Sequence, residues 1–143
     1  MPIPVCRLLA IAVISAGFCL SQPSSAAPVV DVTGVWDFAV VSKGEVIREL
    51  KRKFALEQKG NSIDGTSNRL DPRPGDSPDL VLGYIDCPTI SGRTRIEDCH
   101  VHLTVHLGAG AHTVDYDGYF RDAKTMQGSA ELGGERVEWT AKR

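Results

Sequence analysis

Beyond residue 20 the chain has no apolar run of membrane-spanning length, which excludes a transmembrane helix from its main body. Neither sign of charge dominates. There are 16 Lys and Arg against 18 Asp and Glu, a formal net charge of −2, and such a balance carries no electrostatic footprint for nucleic acid or an anionic membrane surface. No G-x-S-x-G elbow, phosphate-cradling glycine loop or helix-borne metal motif occurs. Nothing therefore specifies a reaction, and the chain reads as a binder rather than an enzyme, with no cofactor expected. Cysteine is scarce: of the four, Cys6 and Cys19 lie near the N-terminus, leaving Cys87 and Cys99 in the main body.

The N-terminus reads as an address. Arg7 supplies a short positive region, Leu8 to Leu20 an apolar stretch, and Ser21 to Ala27 a small, polar segment. An apolar stretch of about 13 residues suits an export signal and is too short to span a bilayer. Cleavage after Ala26 puts Ser24 and Ala26 at the two small-residue positions. The expectation is an exported bacterial-type precursor, with a signal over residues 1–26 and one domain over 27–143, periplasmic or secreted. In an oxidising compartment the pair Cys87 and Cys99 reads as a disulfide. Its loop of about 13 residues is worth about 3 kcal/mol in the chain-entropy model.

Period-two alternation dominates residues 27–143. In 99–107, Cys99, Val101, Leu103, Val105 and Leu107 alternate with His100, His102, Thr104 and His106. After a Gly108-Ala109-Gly110-Ala111 turn, Val114, Tyr116, Gly118 and Phe120 alternate with Thr113, Asp115, Asp117 and Tyr119. Both apolar faces fall on one side of a hairpin when Leu107 pairs with His112. Similar patterns run through Trp36-Phe38-Val40, Phe54-Leu56, Leu80–Ile85, Met126–Leu132 and Val137–Ala141. This predicts an all-β fold: one up-and-down antiparallel barrel of about eight strands, closed so that no edge is exposed. Gly65, Gly83, Gly118 and Gly128 sit inside strands, where a tight barrel must bend. Residues 45–53 fit either a strand or one helical face, with the strand favoured because the barrel needs an element there. The stretch 71–79, with three prolines and a glycine, is the longest loop and a candidate lid over one mouth. Its Asp71, Asp76 and Asp79 lack calcium-loop spacing and read as solubilising loop residues.

Gly34-Val35-Trp36 opening the first strand, with Lys142 and Arg143 after the last, resembles the calycins, the lipocalin and avidin superfamily of small barrels. That resemblance implies that Trp36 plugs the closed end beneath Arg143 or Lys142. It does not extend to biotin, because Phe38 stands where the avidin pattern has asparagine. Periplasmic metalloprotease inhibitors, also small barrels with a G-x-W start and one disulfide, are a second likeness. They use an N-terminal trunk, and only Ala27 to Thr33 precede Gly34 here.

Two constellations could carry chemistry. His100, His102 and His106 share one strand face, and the expected pairing sets Asp117 opposite His102. His100, His102 and Asp117 therefore form a geometrically feasible site for zinc or copper, or else are solvated cross-strand neighbours on the barrel exterior. On a strand, Arg48 and Arg52 share the parity of Val46, Leu50, Phe54 and Leu56, which are expected to face inward. Buried guanidiniums need a partner, and an anionic ligand head group would supply one; a frayed segment at the mouth would instead let both reach water. Trp36 and Tyr116, core aromatics by default, join Arg48 and Arg52 as candidate ligand-lining residues. Three functions follow: binding of a small apolar or amphiphilic ligand in the barrel mouth, recognition of a protein partner such as a protease, or surface metal binding.

Overall fold

The alternation at 99–107 and 112–122 becomes the two central strands of a barrel. The computed structural model describes residues 30–108 and 112–143, with the side chains of Arg48 and Glu49 not included. The expected signal segment, Ala109 to Ala111 of the turn, and the Arg48 side chain lie outside the described residues. Elements in chain order are β1 (Gly34–Ser42), β2 (Glu45–Lys59), β3 (Ser62–Arg69), β4 (Asp79–Asp86), the short β5 (Thr89–Ile90) and β6 (Arg93–Thr94), a 3-10 turn at Ile96–Asp98, β7 (His100–Leu107), β8 (His112–Asp122), β9 (Thr125–Leu132) and β10 (Glu135–Lys142). Among the described residues, eight strands close into an antiparallel barrel in the order β1-β10-β9-β8-β7-β4-β3-β2, with β5 and β6 a separate two-stranded ribbon.

The β7–β8 register is the expected one, running from Leu107 opposite His112 to His100 opposite Tyr119. Val101, Leu103, Val105, Val114, Tyr116 and Phe120 are buried inside, while the histidines and aspartates line the outer wall. Two-residue hairpins at Lys43-Gly44 and Gly133-Gly134 hold both residues at positive φ, the backbone twist that matches flanking strands. Ser91-Gly92 does the same between β5 and β6, a ribbon that alternation over so few residues cannot announce. Cys87 and Cys99 are bonded, fastening the end of β4 to the start of β7 across the ribbon.

Residues 45–53 are strand, but not an independent one: they run without a break into the Phe54 segment as β2. The expected facing of this stretch needs correction. Phe38 pairs with Arg52 while Val40 pairs with Ile47, so two steps along β1 match five along β2. The excess of three is odd, and an odd slip exchanges the two faces of a strand. Ile47 consequently packs against the core, while Val46 and Leu50 are exposed. Arg52, Phe54 and Leu56 keep the inward parity.

One end of the barrel is closed by the segment before β1. Val30 and Val32 are buried. Gln58 holds them there, its amide oxygen accepting from Val32 N–H (2.9 Å) and its amide nitrogen donating to the Val30 carbonyl (3.1 Å). Trp36, fully buried beside them, donates its indole N–H to the Val32 carbonyl at 2.8 Å. Of the two cations offered by the sequence, Arg143 covers it, the guanidinium carbon 4.8 Å from the ring centre and a nitrogen donating to Thr33 O at 3.0 Å.

Candidate functional site

The middle of the barrel is filled with aromatic rings. Phe38 stacks on Phe54 with centroids 3.9 Å apart and on Trp139 at 5.1 Å. Tyr116 meets Phe38, Phe54 and Trp139 edge-on at 5.6 to 5.9 Å. All four are buried. Tyr116 is thus a member of this stack and Trp36 a plug at the closed end. Open space lies instead at the mouth and on the wall.

Arg52 is the inward residue of β2 just before the register break, and at the mouth it has found an anion within the chain. Its guanidinium donates to Asp79 Oδ2 at 2.6 Å and to the buried Ser67 Oγ at 2.9 Å. The side chains of Arg52 and Asp79 are only 17% and 14% exposed. A buried guanidinium without such a partner would be strongly unfavourable. Asp79 also accepts from Gly108 N–H at 3.1 Å, which ties β2, β3, β4 and the end of β7 together. It is therefore no loop solubiliser. The inward parity of Arg52 demanded an anion, and Asp79, ending the Pro-rich loop, was the available signal. That loop is itself folded by Asp76 and Arg73, with Arg73 N–H donating to Asp76 Oδ2 at 2.7 Å. With Arg52, Ser67, Leu107 and Gly108 it borders an open groove of about 780 Å³ at the mouth.

A second opening follows from the register break. Where β2 departs from β1, a cleft of about 550 Å³ is lined by Phe38, Ala39, Val46 and Leu70, with Lys51, Arg52, Lys53 and Lys142 around it and Asp37 and Thr140 completing the wall. Lys53 lies 3.8 Å from Asp37, both exposed, a contact that solvent largely screens.

Burial raises the pKa of the Tyr116 phenol above its usual value near 10, with the Arg52 charge pulling it down more weakly. A raised folded-state pKa means that the stabilisation is fully present below the unfolded value and is lost as pH rises through the folded one. The barrel should lose stability above about pH 10, and Tyr116→Phe should flatten that loss. Urea midpoints measured on both sides of that pH check this; an unchanged alkaline slope in the variant would refute it. At the closed end, hydrogen bonds from the Thr33 backbone and hydroxyl keep the Asp31 carboxyl below its ordinary pKa.

The histidine strand lies on the outer wall. His102 Nδ1 is 2.6 Å from Asp117 Oδ1, and His102 Nε2 is 3.3 Å from Thr104 Oγ1. Thr104 donates to Asp115 at 2.6 Å, and His100 Nε2 lies 3.6 Å from Asp117. The structure does bring His100, His102 and Asp117 together. Both imidazole nitrogens of His102 are nevertheless engaged, and among the described residues no group of three or more His, Cys, Asp or Glu is arranged to hold a metal ion. Tyr84 stacks on His102, centroids 5.2 Å apart, and Tyr119 tilts against His100 at the same distance.

Among the described residues no helix is long and apolar enough to cross a membrane. No family model and no curated protein matches the chain. Among solved structures, a redesigned β-barrel matches at 12% identity and a TM-score of 0.49, over 78% of this chain and 90% of that one.

Proposed function

We propose that this is an exported binding protein, periplasmic or secreted and calycin-like in build, whose ligand is a small amphiphile with an anionic head group. The observation that carries this reading is the cleft beside the β1–β2 register break, apolar at Phe38, Val46 and Leu70 and rimmed by Lys51, Arg52, Lys53 and Lys142. Its volume of about 550 Å³ is that of a small-molecule site. An alkyl chain laid on the apolar wall gains about 0.8 kcal/mol per buried methylene, and an anionic head among the ammonium groups makes charge-assisted hydrogen bonds. The disulfide supports an oxidising compartment, and Arg143 over Trp36 supports the calycin likeness. The protease-inhibitor alternative finds no projecting trunk in residues 30–33, since Val30 and Val32 are buried in the barrel floor.

Calorimetric titration with dodecanoate and with uncharged dodecanol tests the reading. Saturable binding of dodecanoate, tighter than that of dodecanol and weakened about tenfold in a Lys51→Glu, Lys142→Glu double variant, is expected. Absence of saturable binding, or an unaffected double variant, would dispose of it.

A further inference from the structure

We infer that the outer wall over β8, β9 and β10 is a saccharide-binding groove, separate from the cleft beside β2. Two glycines form part of its floor. Gly118 and Gly128 pair across β8 and β9 at inward-facing positions, and Trp139 packs against the space that a Gly118 side chain would fill. Over this bare patch the outer wall opens into a groove of about 760 Å³.

The register sets the chemistry of that groove in two cross-strand rows. Tyr119, Gln127 and Thr140 make one; Asp117, Ser129 and Glu138 make the other. Adjacent strands lie about 4.8 Å apart, so each row sets polar groups side by side along the groove. Carboxylates accept hydrogen bonds, Gln127 and Ser129 donate and accept, and Arg136 donates. That mixture suits vicinal hydroxyls, each of which is both donor and acceptor. Tyr119 adds an aromatic ring, the residue 55% exposed, against which the apolar C–H face of a pyranose can lie.

Other ligand chemistries fit less well. Asp117 and Glu138 oppose an anionic ligand, a lipid with a charged head group included. The groups are also held in place before binding, which reduces the ordering cost of binding. Asp117 is fixed by His102, Arg136 donates to Ser129 Oγ at 3.0 Å, and Tyr119 rests on His100. Tyr84, on β4 two strands from β8, is exposed and stacked on its register partner His102, and extends the aromatic surface for a longer chain.

Amide-resolved NMR titration of the protein with cellotetraose, maltotetraose and chitotetraose tests the groove. At least one sugar should produce saturable shifts at residues 117–119, 127–129 and 138–140. Tyr119→Ala should weaken that binding about tenfold or more, while Tyr119→Phe, which retains the ring, should preserve it. The proposal is overturned if none of the three sugars moves these amides or if Tyr119→Ala binds as wild type. It is equally overturned if a tetrapeptide mixture moves them and the sugars do not. Dodecanoate should instead shift residues 37–39 and 51–53, so failure at one site is distinguishable from failure at the other.

Discussion

Trp36→Ala should lower the unfolding free energy by about 4 kcal/mol, the range of large-to-small aromatic truncations in cores. Trp36 is fully buried, and the ring joins three pieces of the closed end. Its indole N–H holds the Val32 carbonyl at 2.8 Å. Its face carries the Arg143 guanidinium, which in turn donates to Thr33 O. Truncation leaves a cavity beneath Arg143 and frees the Val30–Thr33 segment, retained then mainly by Gln58. Trp36→Phe should cost less: most packing survives, while the indole hydrogen bond, worth about 1 kcal/mol, is lost. Urea denaturation of the three proteins measures this directly. Equal losses from alanine and phenylalanine would show that the hydrogen bond, not the packing, fastens this end.

Gly128→Val should be at least as damaging, at about 4 kcal/mol or more. A Cβ on Gly128 would press into the carbonyl oxygen of Asp117 and the Cα of Gly118. These are backbone atoms of the paired strand and cannot rotate away, so the effect exceeds the roughly 1–3 kcal/mol of ordinary overpacking. The neighbouring Ser129→Ala, facing outward, serves as control and should shift stability by less than about 0.5 kcal/mol. Thermal melts of the two variants make the comparison, and a Gly128→Val barrel as stable as wild type would mean that β8 and β9 need no close approach there.

The closed barrel, the β7–β8 register and the Cys87–Cys99 bond were all legible in the residues. Within His100–Leu107 and again within Thr113–Phe120 the alternation is unbroken, and the short turn between them fits the pairing of Leu107 with His112 that buries both apolar faces. Alternation failed at β2 because period two states which residues share a face only while pairing is regular. A three-residue irregularity between Phe38 and Val40 on β1 and their β2 partners reversed that relation, exposing Val46 and Leu50 and turning the half-buried Ile47 toward the core. The partner of Arg52 was hidden for another reason. Asp79 lies across β3, at the far end of a nine-residue loop, residues 70–78, and only barrel closure brings the two side chains to the mouth. The outer groove was equally hidden, since Gly118 and Gly128 read as bends but not as a patch opposite polar rows.

By itself the sequence determined the strand parity wherever pairing is regular, the main turns and the covalent staple, because these depend on neighbours along the chain or on one hairpin. Tertiary structure alone decided that aromatic rings occupy the middle of the barrel, that Asp79 and not a ligand neutralises Arg52, and that open space lies at the mouth and on the wall. Those outcomes depend on how strands distant in sequence meet once the sheet curls shut, and alternation within any single strand carries no information about that meeting.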